Sequence, residues 1–300
     1  MKQFRNSNNL SFRGAMAGYL FIAPLFLGLF IFYIAAFFGN FYDSFTNKSS
    51  FGTPQFIGVD NYIRLFSDQK FYRATLNTFL YVIICVPLVV ILSTVLGALL
   101  NTKIKGKGFF RTLIFLPAVT LPAAIGLLWK WIFNYEFGIL NAIIVFFGGN
   151  PIAWLSDPSV VLISISVVFI WSTVSYQMII ILAGLQGVSK SYYEAAEIDG
   201  ASSIQSFFKI SIPLISPSIF FVTVTSTINV FQMFDYIYLM IPQSSSGVAA
   251  SRSLVTFFFE EAFTKFDKGY GAAISMVLFV LILIVTIIQL RMQKKWVHYD

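Results

Sequence analysis

Three stretches of this chain, Ala15–Phe38, Leu76–Leu100 and Val160–Leu185, each run for roughly 20 residues or more without a charge, the length a helix needs to cross about 30 Å of hydrocarbon. Inside a bilayer there is no water to bond the backbone. A chain that enters it must close its N–H and C=O groups within helices or within a sealed barrel. A barrel would show alternation of period two in segments of about ten residues, and these runs lack it. The chain therefore reads as an integral membrane protein built of helices. Composition bears on the choice in the same direction: 57% of residues are hydrophobic and 11% charged, against about a quarter charged in an ordinary soluble domain.

Six spans are expected: Ala15–Phe38, Leu76–Leu100, Phe109–Phe133, Val160–Leu185, Pro213–Ile241 and Ala272–Leu290. The fold class is all-α, a polytopic membrane protein with six transmembrane helices. The first run is longer than the 7–15-residue apolar core of a signal peptide and continues with bulky Phe and Tyr, so it reads as an uncleaved helix. Pro87, Pro117 and Pro122 fall inside spans two and three, where each removes a backbone bond and should kink its helix. Pro213 stands at a helix start that has no bond to lose. Between spans one and two, Tyr62, Leu65, Phe66, Phe71 and Tyr72 alternate with charges, as in an amphipathic external helix that lies on lipid or contacts a partner.

The net charge of +7 signals lipid topology rather than nucleic acid, because the cations lie in short patches beside the apolar runs. With the N-terminus in the cytoplasm, the inner side holds Lys2, Arg5, Arg13, Lys103, Lys105, Lys107, Arg111, Lys190, Lys209, Arg291, Lys294 and Lys295, twelve of the twenty cations. Of the thirteen acids only Glu194, Glu197, Asp199 and Asp300 fall there. Both termini are expected to be cytoplasmic.

Most chemistry is excluded. There is no G-x-x-x-x-G-K-[ST] run, so the chain does not cradle ATP phosphates by a P-loop. There is no H-E-x-x-H and no G-x-S-x-G. The single cysteine, Cys85, sits in an apolar run as core filler, and the single histidine, His298, is near the C-terminus, so no metal centre and no catalytic residues are expected. What the spans do contain is polar groups. In span five Thr225, Asn229, Gln232 and Tyr236 are spaced to share one helical face, flanked by Asp235. Such groups face a bundle interior or a water-filled path, or glue helices together. Span four offers Ser164, Trp171, Ser175 and Met178, and Trp with hydroxyls and amides would suit a neutral polyol. Trp129, Trp131 and Tyr135 read as an interfacial aromatic belt, with Lys130 reaching outward between them.

The most specific signal lies between spans four and five, in "YYEAAEIDGASSIQSFFKISIPL", Tyr192–Leu214. Helix-compatible residues precede Asp199-Gly200, a turn signal; Ser202 or Ser203 can then cap a second short helix. An acidic helix–turn–helix on the cytoplasmic face is not attracted to anionic lipid and suits a basic protein partner.

Here the residues resemble a known family. Glu194-Ala195-Ala196, three residues, Gly200, nine residues, then Ile210-Ser211-Ile212-Pro213 is similar to the EAA loop of ABC importer permeases, with Ile212 where Leu is usual. "GVDNYIRLF", "LWKWIFNYEFGILNAII", "AWLSDPS", "LAGLQGVSKSYYEAAEIDGAS" and "FQMFDYIYLM" resemble the carbohydrate-type, MalF-like subunit, from about Phe56 to Tyr270. One departure stands out: where such permeases carry a T-x-G-G-P-like turn after span five, this chain has "IPQSSSGVAASRSL".

The resemblance implies a type I ABC importer permease fold, with residues 1–71 as tail, first helix and external loop, 72–291 as permease core with a coupling loop at about 187–212, and 292–300 as cytoplasmic tail. It implies a multi-pass protein of a bacterial cytoplasmic membrane. Its partners would be a second related permease, two ATPase subunits that bind the ATP and Mg, and an extracytoplasmic solute-binding protein. The cargo would be a sugar, a di- or oligosaccharide, with glycerol phosphate as the rival solute. Glu194, Ala195, Ala196, Asp199 and Gly200 would carry ATPase coupling; Trp171, Ser175, Thr225, Asn229, Gln232, Asp235 and Tyr236 would line the substrate path. The other classes open to the sequence are an ion-coupled transporter or channel and a membrane enzyme.

Overall fold

The computed structural model describes residues 12–297 apart from residue 51 and residues 103–105. Lys2, Arg5, Lys103, Lys105, His298 and Asp300 thus lie outside the described residues. Within these, the structure is helical and holds no β-strand, only two isolated bridges, Thr46–Phe56 and Ser49–Asp267.

The first span is α1 (Phe12–Leu29), a π turn at Phe30–Ala35, and α2 (Ala36–Asp43). None of its described side chains from Met16 to Phe38 is buried by the rest of the chain. Its far end leans on the last helix, where the Phe37 and Phe279 rings are 5.1 Å apart and Asn40 Nδ2 donates to Ser275 Oγ at 2.7 Å. Helix α3 (Asp60–Ser67) follows, and α4 (Gln69–Asn101) starts at once, capped by Asp68. The amphipathic expectation therefore divides over two helices. Leu65 and Phe71 are buried with Phe231, Leu254 and Tyr270, whereas Phe66 and Tyr72 stay exposed. Pro87 lies inside α4 without interrupting it.

Span three is broken rather than kinked. Helices α5 (Lys107–Val119) and α6 (Pro122–Ile132) meet at 103°. Pro122 opens α6 at a position whose N–H would have no intrahelical partner, so the break costs no bond there. Trp129 consequently turns inward against Phe133 and Trp171 at 5.2 and 5.6 Å, correcting its assignment to the belt; Trp131 and Tyr135 remain exposed. After α7 (Ile139–Phe146), α8 (Val161–Gly187) crosses as one helix and packs along α4. A Cβ at Gly97 would meet Ile181 Cγ2 at 3.0 Å, so a small residue there sets how closely these two helices approach.

Then come α9 (Lys190–Ile198), α10 (Ser203–Ser206), a π turn at Phe207–Ser211, α11 (Ile212–Leu214) and α12 (Ser216–Phe231), with a 68° bend between the α10–α11 run and α12. Two expectations for span five are corrected. Pro213 does not open the span: it sits inside the run that ends at Leu214, accommodated by the wider π turn, and Pro217 stands in the first turn of α12 instead. The helix also does not continue to Ile241. It stops at Phe231, and α13 (Asp235–Met240) is a separate short helix packed on α6.

The segment that departs from the family pattern forms α14 (Gly247–Ser251) and leads to α15 (Leu254–Phe259), a π turn at Glu260–Thr264 and the last span, α16 (Lys268–Gln293). It is stitched to α4: Asn77 Nδ2 donates to the carbonyls of Ala249 and Arg252, the Tyr81 hydroxyl to that of Ser251, and Leu254 N–H to Thr78 Oγ1. Among the described residues four single helices are long and apolar enough to cross a bilayer, and there are up to six spans when each bent pair counts as one. The largest core cluster joins Tyr81, Cys85 and Val89 of α4, Ile165, Val168 and Phe169 of α8, and Val230, Tyr236 and Met240.

Candidate functional site

The α8–α12 connection is built from local signals. Ser189 caps α9, its hydroxyl accepting from Ser191 N–H at 3.4 Å. At the other end Ala201 N–H donates to Ala196 O at 2.9 Å and Gly200 N–H to Glu197 O at 3.1 Å, the paired bonds of a Schellman terminus. That terminus needs a left-handed residue, and Gly200 has φ of +75°. Ser202 then caps α10 in a reciprocal box: Gln205 N–H donates to Ser202 Oγ, and Ser202 N–H to Gln205 Oε1.

This frame sorts the expected coupling residues into two kinds. Glu194, Ala195, Asp199 and Gly200 are exposed. Ala196 is buried and packs inward, so it seats the helix rather than presenting a contact. In the same connection Tyr192, Ile204, Phe208 and Ile198 are exposed, the last to 86%. Exposed apolar side chains together with the acids of α9 give this segment a surface suited to another protein. A cleft of about 500 Å³ lies behind α9, bordered by Asn101, Tyr193, Glu197 and Ser211. Across it the Tyr193 and Ser211 hydroxyls bond at 2.9 Å, fixing α9 to the run that bends into α12.

The expected path residues do not form one face. Trp171 (38% exposed) and Ser175 (2%) border an apolar groove of about 530 Å³ with Leu92, Leu113 and Pro117. Thr225 and Asn229 belong to the other side of α8: Thr225 Oγ1 donates to Gln177 Oε1 at 3.5 Å. Ser175 and Gln177 are two residues apart, which at 3.6 residues per turn places them on nearly opposite sides of the helix. Gln232 ends α12 and is exposed, as is Asn229 one turn earlier. Tyr236, assigned to the same stripe, lies beyond the break, buried on α13 with its ring 6.5 Å from Phe169. Asp235 is exposed in the first turn of α13, where a negative charge complements the helix dipole.

One residue escaped the sequence reading. Gln177 is fully buried in α8, and its Nε2 has no hydrogen-bond partner among the described residues. Its signal was available: an amide within an otherwise apolar span is costly in hydrocarbon and marks a polar neighbour or a path. Trp171 and Ser175 lie on the other side of α8 from Gln177, so their spacing does not point to it.

Comparison with known proteins agrees along nearly the whole chain. The family model described as binding-protein-dependent transport system inner membrane component matches residues 62–298. A probable ABC transporter permease protein, YesP of Bacillus subtilis, is 33% identical over 288 residues, covering 95% of this chain and 93% of that protein. The trehalose/maltose transport system permease protein MalF of Thermococcus litoralis is 32% identical over 289 residues, covering 96% and 97%. Among solved structures, a chain of a bacterial alginate ABC transporter in complex with an alginate pentasaccharide-bound periplasmic protein superposes with a TM-score of 0.83 at 19% identity, over 97% of this chain and 98% of that one.

Proposed function

This chain belongs to the binding-protein-dependent transport system inner membrane component family, and from that premise we propose that it is one permease subunit of an ATP-driven sugar importer. It crosses the membrane several times and carries no nucleotide-binding loop of its own. In this reading ATP and Mg are bound by two separate ATPase subunits. A second, related permease completes the pathway, and an extracytoplasmic binding protein delivers a di- or oligosaccharide. Both termini and α9 face the cytoplasm, in keeping with the excess of Lys and Arg on that side.

The observation that carries the reading is the hydrogen-bonded connection from α9 to the run that bends into α12. Exposed Glu194 and Ile198 present a docking face, and Tyr193 on the same helix is bonded to Ser211 in the run that bends into α12. A displacement of α9 by an ATPase is thereby passed to the helix carrying Thr225 and Asn229. Glu194 pairs with a basic group of the ATPase, Asp199 and Gly200 form the turn, and Ala196 holds the helix seated. Coupling then consists of different affinities of the ATPase for two arrangements of this segment.

For the cargo, Thr225, Asn229 and Gln232, with Gln177 behind them, offer hydroxyls and amides and no cation. That suits a neutral polyol better than a phosphate ester, which would want an Arg or Lys. The relatives include permeases of trehalose/maltose and of sn-glycerol-3-phosphate transport systems, so the choice between the two rests on this lining. Glu194→Lys should abolish uptake and substrate-stimulated ATP hydrolysis while leaving the protein inserted; normal transport by that variant overturns the coupling role. Asn229→Leu with Gln232→Leu should impair uptake more than assembly, and unaltered uptake removes both from the path.

A further inference from the structure

A second groove, on the flank where α5 meets α8, has no part in the reading above. It encloses about 510 Å³. At the end of the bundle that carries α9, Arg111 and Gln186 border it; beyond them it is lined by Leu116 and Val119 of α5 and Ile179 and Ala183 of α8. Arg111 is exposed and makes no ion pair among the described residues. From Arg111 to Val119 is eight residues, about 12 Å along the helix axis at 1.5 Å per residue. The groove therefore has a cationic, hydrogen-bonding mouth at one end and an apolar channel along the rest of its length.

We propose that this groove holds one acyl chain of an anionic phospholipid, with the lipid phosphate on the Arg111 guanidinium. The planar guanidinium matches phosphate oxygens in pairs, and Gln186 adds an amide donor beside it. Lys107 stands one turn before Arg111 and raises the positive potential at the same mouth. A zwitterionic lipid brings its own cation to this mouth and gains less from it, so the charge selects an anionic headgroup. A polypeptide covering the groove would have to supply an acid at Arg111 and a wholly apolar segment beyond it; a lipid has both parts in one molecule. The inference rests on the proposed orientation only for the leaflet concerned, the cytoplasmic one.

The test uses the protein purified with its partner subunits from mixed micelles holding equal amounts of phosphatidylglycerol and phosphatidylcholine, with retained lipid read by native mass spectrometry. Wild type should keep phosphatidylglycerol several-fold over phosphatidylcholine. Arg111→Gln should remove that preference, whereas Arg291→Gln, at the same end on α16, should keep it. Ala183→Trp, which fills the channel and leaves Arg111 in place, should also release the lipid. Equal retention by wild type and Arg111→Gln, equal losses in Arg111→Gln and Arg291→Gln, or full retention in Ala183→Trp overturns the assignment. A benzophenone amino acid at Leu116 gives an independent reading after illumination in phosphatidylglycerol vesicles: a lipid adduct supports the site, and an adduct to another polypeptide overturns it.

Discussion

The hydroxyls of Tyr193 and Ser211 stand 2.9 Å apart, joining the middle of α9 to the end of the π turn that precedes α11. Their bond crosses the cleft behind α9, so it is a tie between elements rather than part of either helix. Tyr193→Phe keeps the ring and removes the tie. A hydrogen bond of this kind contributes about 0.5–1.5 kcal/mol net, enough to let α9 move partly independently of α12. The expected result is a roughly two- to tenfold fall in uptake per ATP hydrolysed, by that same range, with ATPase binding retained. Ser211→Ala should give the same fall, and the double variant should add little to either. Additive effects in this cycle would show that the two hydroxyls act separately.

Gly200 supplies a second test, because two reasons for a glycine are separable there. A Cβ at Gly200 would meet nothing within 4 Å, yet the backbone has φ of +75°. The constraint is therefore conformational and not steric crowding. An alanine in the left-handed region costs about 1–2 kcal/mol, and asparagine less. Gly200→Ala and Gly200→Val should both weaken ATPase coupling, valine more, while Gly200→Asn should retain most of it. Uptake assays on the three variants with matched expression check the order. If asparagine is as damaging as valine, the residue is needed for contact and not for its φ.

Gly200 and the Ser202 cap were legible in the sequence because their signals are local, whereas the Tyr193–Ser211 tie, between residues 18 apart, was not. A Ser three residues before Gln205, and a glycine after an acidic helix, each act within one turn of chain. Spans two, four and six were legible for a related reason: bilayer thickness fixes the length of an uncharged helix. The breaks were not. Pro122 marks the place where span three interrupts, but the 103° between α5 and α6 is set by the packing of α6 on α13. Nothing in "NVFQMFDYIY" stops a helix, for it holds neither Gly nor Pro, and yet α12 ends at Phe231. Met233, Tyr236 and Ile237 are buried in the main core cluster, so tertiary packing overrides propensity there. The expected polar stripe loses Tyr236 at that break, since a face defined by 3.6-residue spacing has no meaning across it, while Thr225, Asn229 and Gln232 remain on α12 and its cap.

Asn141 offers a test of the segment linking spans three and four. It is 2% exposed, and its amide is fully used. Nδ2 donates to the carbonyls of Tyr135 and Ile152, and Oδ1 accepts from Ile152 N–H and Trp154 Nε1. Asn141→Asp has almost the same shape but would set a carboxylate against two carbonyl oxygens. Each buried polar group left unbonded costs about 1–3 kcal/mol, and the charge adds to that. The variant should unfold at a clearly lower temperature in detergent and expose the α7–α8 link to protease, whereas Ser159→Ala, also in that link but exposed, should do neither. An unchanged unfolding temperature for Asn141→Asp would show that this knot does not hold the segment.

The pH dependence of the segment between α15 and α16 follows from its ion network. Glu260 accepts from Arg252 Nη2 at 2.9 Å and from Lys265 Nζ at 3.0 Å, and Lys265 also reaches Glu261 Oε1 at 2.6 Å. Burial pushes the Glu260 carboxyl upward, but the Lys265 bond and the charges of Arg252, Lys265 and Lys70 outweigh it, leaving it below its ordinary 4.5. Burial likewise pulls Lys265 down, and the bonds and charges of Glu261 and Glu260 carry it above its ordinary 10.5. A depressed carboxyl stabilises the fold above its unfolded value and loses that contribution as pH falls through the folded one. A raised ammonium stabilises below its unfolded value and loses it as pH rises through the folded one. The network is thus at full strength between about 4.5 and 10.5. Glu260→Gln should lower the unfolding temperature by a few degrees at pH 7, and the gap from wild type should close as pH drops below 4.5, where the wild-type group takes up its proton. Other carboxylates titrate equally in both proteins and cancel in the difference. A gap that stays constant down to pH 3 would mean that the glutamate acts through its shape and hydrogen bonds, and not through its charge.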